Sequence, residues 1–327
     1  MRVLCIMIAV FLGCGTDDHP RAKLPSVKVT VDKAVPVEVA AIGDTSHLSP
    51  ELQRAFDPHG DFTPMGPPQA GDWLAEHKER RQSFADFLNA ATNVPAGERR
   101  ILYLLPIGDF PETAPKLTAL ASITHAFFQV EVRTLPAVKV TDVQAKTRIH
   151  DNTHKRQLLA PDVLTWLTKR LPADAFGLMA ITMEDLYPEP SWNFVFGMAS
   201  LRERVGVQSF ARQDPAFFGE ARGADWQKIA LRRATWTLVH EIGHMFGLTH
   251  CTYWECVQAG SNNQAESDRR PLHLCPVCTR KLHSSVSFDP AVREEELAKV
   301  LRELGIDDEA AWSERRARWI REGKMTP

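Results

Sequence analysis

The 327 residues include only six cysteines, and they carry almost no excess charge: 39 Lys and Arg stand against 41 Asp and Glu, a net charge of -2. That balance excludes a chain organised around a general basic field for nucleic acid or an anionic lipid surface. There is no internal repeat and no low-complexity tract, so solenoid and fibrous arrays are set aside. What remains is ordinary, with 44% apolar and 24% charged residues. Such a chain is globular and can bury a sizeable core as one large domain or two modest ones.

No apolar run reaches the length of a membrane-crossing helix. The opening "MRVLCIMIAVFLGCG" has one basic residue, Arg2, and ten apolar residues from Val3 to Leu12. That is too short to span a bilayer but suits the core of a secretory signal. "FLGC" resembles the lipobox of bacterial lipoproteins, which implies a signal at 1–13 and lipidation of Cys14. A lipid anchor in the bacterial cell envelope is then expected, on the outer-membrane side because Gly15 follows the cysteine. The alternative is a cytoplasmic protein with a short hydrophobic start. Residues 14–45 are polar and dotted with proline, a tether carrying one alternating run, "VKVTVDKAVPVEV".

A helical piece is expected around "DWLAEHKERRQSFADFLNAA". From Arg100 apolar runs and amphipathic segments alternate: "RILYLLPIG" as strand, "APKLTALASITHAFF" as helix, "QVEVRTL" as strand, "APDVLTWLTKRLP" as helix and "AFGLMAITMEDLYP" as strand. "NFVFGMASL" and "VGVQSFAR" follow as extended runs with no room for a helix between them. The pattern predicts an α/β (α+β) fold, a mostly parallel sheet with an antiparallel edge strand, covered by helices. A further helix is predicted from about Asp225 to Phe246, ended by Gly247. The charged segments "REEELAKVLREL" and "EAAWSERRARWIREG" read as covering helices with solvated faces.

The chemistry concentrates at "HEIGHMFGLTHCTYWEC", residues 240 to 256. His240 and His244 lie four apart, so one helix face turns both imidazoles to the same point. Gly247 lets the chain leave the helix and bring His250 back toward them. Three neutral imidazoles make a zinc site with a fourth position open to water, and Glu241 beside it can take and return a proton. The full H-E-x-x-H-x-x-G-x-x-H spacing is far more demanding than a bare HExxH. With Cys5 removed in the signal and Cys14 lipidated, four cysteines remain: Cys251, Cys256, Cys275 and Cys278. Two disulfides would suit an exported protein. The two-residue spacing of Cys275 and Cys278 equally suits one metal.

The extended motif is that of the metzincin metallopeptidases. With a cysteine directly after the third histidine, then "ESDRRPLHLCPVCTRKL", the chain resembles the archaemetzincins over about residues 46 to 322. "DWLAEHKERRQSFADF", "DNTHKRQ", "AFGLMAITMEDLYP", "SWNFVFGMASL" and "VGVQSFAR" add to that likeness. The resemblance implies a metzincin-like zincin fold over 46–327, with 46–250 carrying the active-site helix and 251–327 a zinc-stabilised C-terminal subdomain. It implies His240, His244 and His250 as catalytic zinc ligands, Glu241 as general base, and the four cysteines as a structural zinc site, two Zn2+ per chain. It also implies a peptide or protein substrate lying along an edge strand, for which "NFVFGMASL" is the candidate. His150, His154 and Tyr253 are weaker candidates for the cleft, equally readable as loop residues. An alternative function is a membrane-tethered, zinc-stabilised scaffold with vestigial catalysis. One departure stands out. Family members carry a methionine eight residues after the third histidine, where this chain has Gln258. Nothing in the sequence specifies an oligomeric state.

Overall fold

The computed structural model describes residues 35–90 and 92–323; the signal at 1–13, Cys14 and most of the 14–45 tether lie outside them. The described end of the alternating run is not extended, since Val37–Ala40 is one turn of helix. Ala41 and Ile42 behind it are 5% and 3% exposed. The packed body therefore begins before residue 46: Phe84 N donates to the Ala41 carbonyl, and Arg280 donates to the carbonyls of Ile42 and Asp44.

In chain order the strands are β1 (Ile101–Ile107), β2 (Glu131–Thr134), β3 (Thr147–Ile149), β4 (Arg156–Leu159), β5 (Ala175–Thr182), β6 (Asp185–Tyr187), β7 (Gly197–Ala199) and β8 (Val205–Ser209). The larger sheet runs β2-β1-β5-β8-β7, parallel throughout except that β7 is antiparallel to β8 at the edge. This is the expected sheet, and "NFVFGMASL" supplies its edge. Both faces are covered, so the central strands β1, β5 and β8 are buried at every position and mostly apolar. Along β1, Ile101, Tyr103, Leu105 and Ile107 meet the helix Ala160–Thr168, while Leu102 and Leu104 face the opposite cluster. That second cluster holds the helices Leu117–Phe128 and Trp226–Met245. The latter, the motif helix, lies across β7 and β8, and Gln208 on β8 donates to its Ala234 carbonyl at 2.7 Å.

Three expectations need correction. "AFGLMAITMEDLYP" is two strands, not one: β6 leaves the main sheet to pair with β4 in a small sheet β3-β4-β6. The segment 73–89 is not a continuous helix. Trp73–Glu76 and Phe84–Asn89 are helical, and 77–83 crosses between them as an irregular strap. Ser83 starts the second helix with a reciprocal capping box to Asp86, which fixes the break. Finally, the tail helices Pro290–Glu303 and Asp307–Glu322 are not merely solvated covers. Arg293 and Arg316 are 1% and 2% exposed and spend their guanidinium groups on backbone carbonyls of Phe127, Arg54, Ala55 and Asp57. One apolar cluster runs from Ala41 to Ile320, so the segments before and after residue 250 share a core.

A buried ion pair fixes the approach to the edge strand. Arg212 grips Asp185 with two hydrogen bonds of 2.8 and 2.7 Å, stacks over Phe194 at 3.7 Å, and both side chains are at most 5% exposed. Gln157 donates to the same carboxylate and to the Asn193 carbonyl. Asp185→Ala would leave the guanidinium buried and unpaired, so it should cost about 3–5 kcal/mol. Glu184→Ala, which removes the more exposed pair with Arg156, should cost no more than about 1 kcal/mol. Denaturant unfolding of the two variants checks the contrast.

Candidate metal centre

The helix Trp226–Met245 carries His240 and His244 on one face, their Nε2 atoms 3.0 Å apart. The chain then turns at Gly247, whose φ is +90°; an added Cβ there would also stand 2.8 Å from Thr92. This turn returns His250 to the pair, with ring centroids 5.3 and 5.1 Å from His240 and His244. One donor atom from each of the three lies within 4.8 Å of the others. All three are buried.

The opposite ring nitrogens are each spoken for. His240 Nδ1 donates to the Val257 carbonyl at 2.8 Å and His244 Nδ1 to the Leu248 carbonyl at 2.6 Å. His250 Nδ1 stands 2.7 Å from Glu79 Oε1. Because those partners accept, the Nδ1 atoms hold the protons and the Nε2 lone pairs face inward. His250 Nε2 has no hydrogen-bond partner among the described residues. Burial, then the neighbouring imidazoles, holds His240 well below the usual histidine range and pushes His244 down to about 3. Neutral imidazoles converging on one point are a donor set for a cation such as zinc, whose tetrahedral N···N edges are about 3.4 Å.

Glu241 is 0% exposed, and neither carboxylate oxygen has a hydrogen-bond partner among the described residues. Burial alone raises its carboxyl well above the ordinary value. The carboxylate lies against the edge strand: a Cβ built on Gly197 would stand 2.7 Å from its Oε1 and 2.8 Å from its Cγ. Gly197 is there because no side chain fits beside Glu241.

Below the histidines, Cys251, Cys256, Cys275 and Cys278 bring their sulfurs within 4.8 Å of one another, all buried and all free thiols. Cys251 and Cys275 stand 3.6 Å apart. A disulfide needs about 2.05 Å, whereas tetrahedral sulfurs 2.3 Å from one zinc lie about 3.8 Å apart. Hydrogen bonds from Cys256, Cys275 and Cys278 hold the Cys251 thiol down, and burial pushes those of Cys256 and Cys275 up. A closed four-sulfur set of this kind can hold a metal but leaves no position for substrate.

Gln258 is fully buried on the floor of the site. Its Nε2 donates to the His240 carbonyl at 3.2 Å and lies 3.3 Å from His244 Nδ1. Its Oε1 would stand 2.0 Å from a Cβ on Gly243, so the glycine leaves room for the amide. His150 and His154 are elsewhere. His150 caps its own turn by accepting from Asn152 and Thr153 and reaches Asn193, while His154 is exposed at φ +52°. Tyr253 is buried, with the Arg81 guanidinium over its ring. Glu79 was not among the sequence candidates. It sits in the charge-dense "EHKERRQ" of the expected helical piece, where nothing in the local spacing ties it to His250.

The family model described as Peptidase family M54 matches residues 135–284. Archaemetzincin-2 of Homo sapiens is 36% identical over 289 residues, covering 80% of this chain and 79% of its own. Archaemetzincin-2 of Pongo abelii is 35% identical with the same coverage. A solved archaemetzincin from Methanopyrus kandleri is 28% identical, covers 60% of this chain and 99% of its own, and superposes with a TM-score of 0.45. On the identity and coverage of these relatives, together with the M54 match, the chain belongs to the archaemetzincin family of zinc metallopeptidases.

Proposed function

We propose that the chain hydrolyses peptide bonds at His240, His244 and His250 with Glu241 as general base. The observations that carry this are the three converging imidazoles and, next to His240 on the same helix, the Glu241 carboxylate, buried with no hydrogen-bond partner among the described residues. Zinc held by the three Nε2 atoms would supply Lewis acidity toward the scissile carbonyl and a more acidic water. Glu241 takes the proton of the attacking water and passes it to the departing amine. The substrate lies antiparallel along β7, whose Gly197 adjoins Glu241. Strand addition uses backbone hydrogen bonds and so accepts many sequences.

The cysteines form a second, structural zinc site, for a total of two ions per chain. Free thiols at tetrahedral spacing support this over two disulfides. The membrane placement is a separate proposal resting on "FLGC" alone, since no helix among the described residues is long and apolar enough to cross a membrane.

Glu241→Ala should keep the fold and its metal while losing about a hundred- to ten-thousand-fold in peptide cleavage. Gly197→Ala should do the same in smaller measure, by displacing the carboxylate. His244→Ala should lose metal and activity together. Cleavage by Glu241→Ala at the wild-type rate sinks the assigned base; no cleavage by wild type across a broad peptide library favours the scaffold alternative. Metal analysis should find close to two zinc ions per chain, and Cys275→Ala should drop one and lower thermal stability. All four cysteines oxidised in pairs, by mass spectrometry, would refute that site. Cys14→Ser should shift the chain from the detergent phase to an unprocessed precursor, and a wild-type protein with Met1 intact in the soluble fraction speaks against the anchor.

A further inference from the structure

We infer that Glu79 is a positioning residue for His250, holding its Nδ1 so that Nε2 points at the other two imidazoles. This rests on the reading that these three histidines hold the catalytic metal. His250 is the ligand least determined by its own surroundings. His240 and His244 stand on a helix and give their Nδ1 protons to carbonyls 17 and 4 residues away. His250 follows the turn at Gly247, off the helix, and its Nδ1 partner comes from 171 residues away.

That partner is itself held in place. Glu79 Oε1 also accepts from the Trp73 indole N–H at 2.6 Å. Trp73 is locked in turn, because its backbone N–H donates to both oxygens of Glu266. Its ring fills the space over Gly260, where a Cβ would stand 2.5 Å from Cδ1, and its edge meets the His250 ring at 5.0 Å between centroids. Four residues past Trp73, the His77 ring stacks on the indole at 3.9 Å. At the far end of the strap, Gln82 donates to the Gly247 carbonyl at 3.1 Å and accepts from Thr249 N at 3.2 Å. The strap therefore clamps the loop before His250 with Gln82 and the ring itself with Glu79. Glu79 also brings a full negative charge, which the carbonyls on the other two histidines do not, and a carboxylate on the far nitrogen makes an imidazole a more basic ligand.

The test uses the full chain loaded with zinc, titrated against a chromophoric chelator, and the same chain loaded with cobalt(II). Thiolate and imidazole sites give cobalt different spectra, so each site is read separately. Glu79→Ala should weaken metal at the histidines by about 10- to 100-fold and leave the cysteine site unchanged. Glu79→Gln, which keeps an acceptor without the charge, should recover part of that loss. Trp73→Phe, which keeps the ring but frees the carboxylate, should shift the same site in the same direction by less. If Glu79→Ala and Glu79→Gln both bind metal at the histidines as tightly as wild type, the inference is overturned. Equal weakening at both sites also overturns it, since that is the mark of a general loss of fold. Wild-type protein that takes up no metal at the histidines overturns the site reading and this inference with it.

Discussion

Three imidazoles buried within reach of one another are expensive, because each has a polar nitrogen that has left water and must find a partner. Here the outer nitrogens find theirs in three different parts of the chain: the Leu248 carbonyl in the loop after the helix, the Val257 carbonyl after Cys256, and Glu79 in the strap. The inner nitrogens then face a common point, with no partner for His250 Nε2 among the described residues. Much of the surrounding architecture follows from satisfying the first set and leaving the second open. The glycine at 247, the strap at 77–83 and the return of the chain at 257 are each placed by one of these contacts.

The cysteine cluster is tied into the same arrangement. Cys251 directly follows His250, and its backbone N–H donates to the Gln258 carbonyl at 2.8 Å. Cys256 precedes Val257, whose carbonyl holds His240, and its sulfur accepts from Gln258 N at 3.4 Å. Lys281, one turn beyond Cys278, is 2% exposed and donates to the Gln82 carbonyl and side chain, so the cysteine helix also anchors the strap. A metal at the thiols would therefore fix the segment that orients two of the three histidines. The charge-rich tail helices reach the same core by spending Arg293 and Arg316 on buried carbonyls.

Gln258 shows how a position can change its chemistry and keep its place. The amide lies at the position where the resemblance implies a methionine, fully buried and 3.3 Å from His244 Nδ1. It touches His244 and the His240 carbonyl, and Gly243 on the helix above leaves the space it needs. The floor of the site is filled by a dipole whose oxygen has no partner among the described residues.

The sequence by itself determined what depends on local periodicity and short spacing. A four-residue interval on a helix puts His240 and His244 together in any fold that keeps the helix, and a two-residue interval does the same for Cys275 and Cys278. Apolar runs alternating with helical ones were enough for a mostly parallel sheet with one antiparallel edge, since both faces of such a sheet must be buried. The same local logic failed where a side chain is spent on something distant. "DWLAEHKERRQSFADF" has helical composition, yet its Glu79 and Gln82 serve a loop about 170 residues on, and the helix breaks to deliver them. "AFGLMAITMEDLYP" gives no sign that Asp185 must turn away to meet Arg212. The tail helices read as solvated because charge signals solvent, until a buried carbonyl is within reach of a guanidinium. Nor does a lone glycine announce that Gly197 faces the carboxylate of Glu241. Those pairings join residues far apart in sequence, and only the packed tertiary structure decides which of them come within hydrogen-bonding or van der Waals distance.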